Sequence, residues 1–533
     1  MLGTRKPQVS LFHLPFWAEG LVNPDSFYAR MGAFWSRVSR DEDLASMYHP
    51  KPGKPSVPPS LLCGVLILQY FDDVSDREAA ERVRFDLRWK LALSLPLDDR
   101  GFHYSTLSRF RSRLAAHGQE RYAFDALLRL ALQAGLLTRD AHAINGAVID
   151  STPMHGAAAL EDTYTLLRHG LRKLLRAMGE GDPERQRLAK RLKLSRYLTN
   201  RKPELDWGDP AARRAHLQEL VADAQRLLSE AHEAALPADS EAHGALALLE
   251  QILAQDVVQD DDGQHAIRRG VAKDRVISTV DPEMRHGRKS ASTRFDGYKG
   301  HVAVEPESGL ITEVTVTPGN TYDGEAVTEL VDGLATHHGL QPQAIVGDHA
   351  VIDGARRQAL RERGIEAVGK VPEAAPHGFY PKARFHIDLE QGTVTCPAGR
   401  VTAVYRERKD ARGQVARVFY FDRETCRQCP QRAICTNARG TGRTIQVSPY
   451  EHLLQEAREQ QKAEGFWERY HRARSTVERV IAHLARHGFR QGRYWGRAKT
   501  LFQALWAAAA VNLQRLMALL SDQQAAQTAA EAA

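Results

Sequence analysis

An α/β core flanked and interrupted by helical segments is what this sequence predicts, and three observations carry the prediction. Two short apolar runs, Ala147-Val148-Ile149 and Ala344-Ile345-Val346, each end at an acid, Asp150 and Asp348, as strands that run out into turns do. Residues 299–317 alternate apolar and polar positions around Pro306-Glu307-Ser308-Gly309, the pattern of a hairpin. On either side of these strands, apolar residues recur at helical spacing over long stretches.

A chain of 533 residues is too long for one core, so several folded units are expected. Hydrophobic residues at 43% and charged residues at 26% are close to the globular average, which excludes a disordered or fibrous chain.

In chain order, residues 1–140 read as an all-helical N-terminal domain, with apolar stripes at Leu61 to Leu68, Ala79-Val83-Leu87 and Leu107-Phe110-Leu114. Ser75 with Glu78 forms a capping-box signature, and Ser75 to Leu114 is compatible with a helix-turn-helix, although most helical pairs bind nothing. The α/β core is assigned to 141–160, 276–375 and 459–520. It is interrupted by a helical insertion at 161–275, where Leu167, Leu171, Leu174 and Leu175 mark one face. A second, β-rich insertion at 376–458 contains four of the five cysteines, and 521–533 reads as a flexible tail without apolar anchors.

The most apolar stretch, Leu501 to Leu520, is broken by Gln503, Asn512, Gln514 and Arg515, so a buried or amphipathic helix is expected in place of a membrane span. The N-terminus has neither a continuous apolar core nor a cleavage site of small residues, and a cytoplasmic protein follows.

Net charge is +7, compatible with a polyanionic partner. From Lys462 to Lys499 ten basic residues face three acids, Glu464, Glu468 and Glu478. Glu478 lies beside the stripe Val477-Val480-Ile481-Leu484, at the edge of a buried face, and its alternative role is an i−4 ion pair with Arg474. If the Asp150 and Asp348 strands lie parallel and adjacent, both acids emerge at one carboxyl edge, where α/β folds bind ligands. The alternative for each is a turn or a helix cap. Three such acids suit hard divalent cations and the phosphoryl transfer those ions support.

Cys396, Cys426, Cys429 and Cys435 supply four thiols in 40 residues. A tetrahedral zinc site needs four such ligands, but only Cys426 and Cys429 have the usual close spacing, so free thiols in a small core are the alternative. Cys63, in an apolar helix, reads as core.

The blocks IDSTP at 149–153, DGYKGHVAVE at 296–305, VGD at 346–348 and STVERVIAHLARHGFR at 475–490 occur in that order. Together with SDREAAERVRFDLRWKLAL at 75–93 and STLSRFR at 105–111, they resemble the DDE-type transposases of bacterial insertion sequences, over about residues 20–520. That resemblance implies an α/β ribonuclease H-like catalytic core, with Asp150, Asp348 and Glu478 holding two Mg²⁺ or Mn²⁺ ions for DNA cleavage and strand transfer. It also implies double-stranded DNA as partner, both element ends and target, a homodimer at synapsis, and a nucleoid-associated location.

Arg285, Lys299, Arg474, Arg479, Arg486 and Arg490 are the candidate DNA contacts. Asp281, with Arg285 and Lys299, falls in STVDPEMRHGRKSASTRFDGYKG at 278–300, which is similar to a recurrent segment of one branch. In part of the superfamily a Tyr and an Arg precede the Glu and a Lys follows it. Arg474 and Glu478 fit, whereas His471 and Ala485 stand at the Tyr and Lys positions, and Tyr470 and Arg486 are one residue out of register. The resembling branch also has elements like Cys396-Pro-x-Gly and Cys426-x-x-Cys429-Pro-x-Arg-x-x-Cys435, implying a structural role for the thiols. A DNA-binding protein of the same descent that no longer cuts, and a nuclease that hydrolyses without joining ends, are the competing readings.

Overall fold

The alternation along residues 299–317 forms a hairpin at one side of a six-stranded sheet. The structure is a computed structural model that describes residues 1–5, 21–49, 53–138, 146–179, 181–199, 201–290, 292–372, 378–409 and 413–532. Across the sheet the strands run Ile311–Pro318, Arg294–Val304, Ala147–His155, Ala344–Gly347 and Glu366–Gly369, while Arg285–Arg288 pairs with the start of Arg294–Val304. Each of the first three is antiparallel to its neighbour, and the last three are parallel to one another.

Register fixes what this order does to the acids. Val148 pairs with Val346 across the parallel strands. That is the last pair, after which Ala147–His155 continues through Asp150 while the neighbouring strand ends at Gly347 and Asp348 opens the turn beyond it, so both acids lie past the same end of the parallel ladder.

Each face of the sheet is covered. On one side Ile149, Ala303 and Ile345 pack against Val327, Leu330 and Leu334 of the helix Ala326–His338. On the other, Val148, Val302 and Val346 meet Val477, Ile481 and Leu484 of Phe466–Arg486, and Trp506 and Leu513 of Arg497–Ala532. That second core continues into the N-terminal helices, where Pro59–Phe71 is buried along almost its whole length. Ser75 caps the helix Asp76–Phe85 by accepting from the Glu78 backbone N–H at 3.2 Å, while the Glu78 carboxylate turns to Arg82 instead of closing the box.

The helices Thr163–Ala177, Asp182–Arg191, Pro210–Glu233 and Glu241–Asp256 gather around a separate core that includes Leu167, Leu174, Leu220 and Leu249. A small hairpin, Val257–Gln259 with His265–Ile267, closes this segment, which helical spacing had not predicted. Its strands are three residues each, too short to show a period, and its turn passes through Gly263 at φ +74°.

The cysteine-bearing segment forms two three-stranded sheets around Phe385, Val394, Phe419 and Ile445. The expected starts of the core at 141 and of this segment at 376 lie outside the described residues.

Two expectations about the C-terminal region resolve differently. Residues from 521 were expected to fray, yet the helix Arg497–Ala532 continues through them, exposed. Ala and Gln dominate there, and their helix propensity extends a helix already nucleated by its buried first half. The same helix is long and apolar enough to cross a bilayer, but 67% of its most apolar 18-residue stretch is buried inside the molecule. The polar residues that interrupt it have partners there: Asn512 binds both backbone groups of Ile311, and Gln503 binds the backbone at Gly488, Gln491 and Arg493.

Candidate active site

Asp150 sits in mid-strand with its side chain on the face covered by Phe466–Arg486. Its Oδ1 accepts from the Ser151 backbone N–H at 2.8 Å, and its Oδ2 lies 3.0 Å from Arg474 Nη2. Asp348 closes the neighbouring strand, and its Oδ1 accepts from the backbone N–H groups of Ala350 and Val351, both at 2.9 Å. The turn-capping role is therefore real for Asp348, and it fixes the carboxylate at the sheet edge.

Glu478 comes from the helix packed over this face. The same Arg474 Nη2 reaches Glu478 Oε1 at 3.3 Å, so the i−4 pair exists, and one nitrogen joins it to Asp150. The Asp150 and Arg474 side chains are each 15% exposed and Glu478 is 63% exposed, so the acids grade from a buried floor to an open rim.

Electrostatics link the group. Burial raises the Asp150 carboxyl above its ordinary value, Arg474 opposes this, and Asp348 adds to it. Burial works to lower the Arg474 guanidinium, but Asp150 and Asp348 carry it above its usual value. Arg474 Nη1 is buried with no hydrogen-bond partner among the described residues.

Tyr470 was set aside in the sequence as one residue out of register, yet it belongs to this site. Burial raises its phenol, Arg474 opposes, and Asp348, Asp150 and Glu478 all push it further up. Tyr470, Arg474 and Glu478 are spaced i, i+4, i+8 on one helical face, and that spacing was the signal for it. His471, at the nominal Tyr position, is exposed and stacks on Trp467 instead.

Of the candidate cationic contacts, Arg479, Arg486 and Arg490 are exposed, and Arg490 Nε donates to Thr152 two residues beyond Asp150. Arg285 and Lys299 are built into the scaffold. Arg285 pairs with Asp274 at 2.8 Å, and Lys299 pairs with Asp323 and donates to the Thr321 carbonyl, both at 2.7 Å. Buried Asp281 accepts from the Tyr298 hydroxyl and the Gly496 backbone N–H, tying the sheet to the loop before the last helix.

Cys396, Cys426, Cys429 and Cys435 line one cavity of about 30 Å³. Burial raises the Cys435 thiol, and the other three thiols push it further up although Arg443 opposes. The Arg443 backbone N–H donates to Cys426 Sγ at 3.5 Å. Cys63 lies in the N-terminal core. As the side chains stand, no three or more His, Cys, Asp and Glu among the described residues form a group that could hold a metal ion.

Two family models match the chain. One, described as a transposase DDE domain, covers residues 395–517, and the other, a transposase domain (DUF772), covers residues 17–113. The first contains Glu478 and all four clustered cysteines, while Asp150 and Asp348 fall outside both. No curated protein and no solved structure matches the chain.

Proposed function

We propose, from the premise that the two matched domains indicate a DDE transposase of an insertion element, that this chain binds the ends of its mobile element and cleaves and rejoins DNA strands by phosphoryl transfer. What supports the reading is that Asp150 and Asp348 follow the paired ends of adjacent parallel strands closely enough for Asp348 to raise the Asp150 carboxyl, with Glu478 joined to Asp150 through one arginine. The sheet order, three antiparallel strands followed by two parallel to the third, supports a ribonuclease H-like core.

Asp150, Asp348 and Glu478 would hold two Mg²⁺ or Mn²⁺ ions. The donor set fits them: three carboxylates against one guanidinium leave an excess of negative charge, and oxygen ligands suit hard cations. Bound there, the ions would supply charge stabilisation at the scissile phosphate and a more acidic attacking water or 3′-hydroxyl. Arg474 keeps the acids together in their absence, and its orphaned Nη1 offers a donor that a phosphate oxygen would satisfy. Exposed Arg479, Arg486 and Arg490 draw the DNA backbone toward the rim without reading its sequence. Pairing two element ends calls for a homodimer, acting on the nucleoid in the cytoplasm.

For the four cysteines we propose a structural zinc. Their convergence on one cavity and the backbone N–H donated to Cys426 support the reading. Metal analysis of the purified protein is expected to return one zinc per chain; a folded, zinc-free protein would reject the site.

The catalytic test is cleavage of a duplex carrying the DNA that flanks the coding region, in Mg²⁺ or Mn²⁺. Asp150→Ala, Asp348→Ala and Glu478→Ala should each lose cleavage by at least 100-fold while binding the duplex as the parent does, in line with losses of direct catalytic groups. Undiminished cleavage by any one of them would remove that acid from the site.

A further inference from the structure

The catalytic reading does not use the helical insertion, yet the insertion carries a strongly uneven distribution of charge. Between Arg168 and Lys202 there are twelve Lys and Arg residues and three acids, all three of them within Glu180 to Glu184. Most of the insertion's carboxylates lie after this stretch, and several are already engaged: Glu219 and Asp223 with Arg196, and Glu230 with Arg191.

What remains is a cationic face. Arg168 and Arg176 are two turns apart on the helix Thr163–Ala177, with Arg172 between them. The Arg168 and Arg172 guanidiniums are anchored to backbone carbonyls: Arg168 to Arg201 at 3.1 Å, and Arg172 to Tyr197 at 2.8 Å and Thr199 at 2.5 Å. Carbonyl anchoring fixes the orientation of a guanidinium without neutralising its charge. Burial lowers the Arg172 guanidinium from its ordinary value, and its neighbours Arg168 and Arg176 lower it further, as expected for like charges held side by side. Among the described residues, no carboxylate lies within ion-pair distance of Arg176, Lys190, Lys193 or Lys202, all exposed.

The face is also concave. A cavity of about 630 Å³ opens on it, lined by Arg168, Arg196, Arg201 and Lys202, against the carboxylates Glu204 and Glu219, which are paired to Arg201 and Arg196. Cations in excess, some of them pre-oriented, around an open concavity match a polyanion whose charges are regularly spaced.

We propose that this face of the insertion is a second contact for duplex DNA, gripping phosphates independently of sequence and apart from the catalytic carboxylates. The inference rests on the transposase reading, since it takes the polyanion to be DNA. An insertion with its own hydrophobic core is a suitable arm for such a contact, because it can press on the duplex without disturbing the sheet that positions the acids.

The test uses the full chain, a 40-bp duplex of arbitrary sequence as probe, and fluorescence anisotropy over a range of salt. A combined variant, Arg168→Gln, Arg176→Gln, Lys190→Gln, Lys193→Gln and Lys202→Gln, is compared with the parent and with each single substitution, with thermal melting as a check on the fold. The combined variant should bind at least tenfold more weakly near physiological salt, and the slope of log affinity against log salt should flatten by roughly 0.9 for each phosphate contact removed. The loss should be equal for an unrelated duplex.

A folded combined variant with the parent's affinity and slope overturns the proposal, and if that variant misfolds, the same result in the folded single variants does so. A loss confined to one DNA sequence also overturns it. In either case the catalytic reading stands so long as Asp150→Ala abolishes cleavage. A parent protein that binds no duplex under any salt condition would remove both.

Discussion

At the scale of single residues, Arg474 does most to hold the proposed site together. Its Nη2 lies between Asp150 and Glu478, and it offsets repulsion among carboxylates that would otherwise push each other apart. Tyr470 joins it by the same helical arithmetic, one and two turns before Arg474 and Glu478. A different residue contributes to the loss of stability in acid. His301 is wholly buried on the central strand, shares a 2.8 Å hydrogen bond with Thr317, and faces Lys299 and Asp323. Burial, opposed by Asp323 and aided by Lys299, holds its imidazole down to about 4 in the folded protein. In the unfolded chain it titrates near 6.5, so the unfolded state takes up the proton first as pH falls. The stability this neutral histidine contributes is complete above about pH 6.5 and declines between there and about pH 4. Denaturant unfolding from pH 7 to pH 4 should show a steeper decline for the parent than for His301→Gln; parallel profiles would refute this.

At the scale of elements, the site depends on how two helices are held to the sheet. Phe489, just past the end of Phe466–Arg486, packs against Gly300, where an added Cβ would lie 2.6 Å from the ring, so the missing side chain sets how closely that helix seats. Asn512 does the equivalent for the last helix. Its Oδ1 accepts from the Ile311 N–H at 2.8 Å and its Nδ2 donates to the Ile311 carbonyl at 2.7 Å, so a helix side chain completes the hydrogen bonding of an edge strand. Asn512→Leu keeps the branched side-chain shape but leaves both backbone groups buried and unsatisfied. It should cost about 1–3 kcal/mol, read by denaturant unfolding. A change within a few tenths of a kcal/mol would mean the strand edge is satisfied some other way.

At the scale of the whole molecule, the hydrophobic cores do not follow the boundaries drawn from sequence. The N-terminal helices share one continuous core with a face of the sheet and the last helix, and Arg493 adds polar links to Asp73 and the Val74 carbonyl. The insertion, by contrast, keeps a core of its own. Removing residues 1–138 should therefore expose the apolar flank of the last helix and give an aggregated or molten product, detected by loss of a cooperative melt. A truncated protein that melts cooperatively near the parent's temperature would show the helical region to be an independent domain.

Much of this was legible in the order of residues alone. Local pattern gave the two strands carrying Ala147-Val148-Ile149 and Ala344-Ile345-Val346, the hairpin at 299–317, the Ser75 cap, the buried character of Leu501 to Leu520 and the acid in a basic helix, because period and turn chemistry are properties of neighbouring residues; the first strand does not end at Asp150 as expected but pairs on to His155. The hairpin at 257–267 escaped because its strands are too short to carry a period, and the helical tail because propensity, not burial, sustains it. Strand order and register remained for the tertiary structure to decide. Whether Asp150 stands beside Asp348 depends on which strands pair, which residues 198 positions apart cannot specify through their neighbours. The same holds for Glu478, whose link to Asp150 through Arg474 depends on a helix docking over that face. Local sequence determined which acids follow the apolar runs; long-range pairing and packing decided that the two strands lie side by side under one helix, because that depends on residues far apart in the chain.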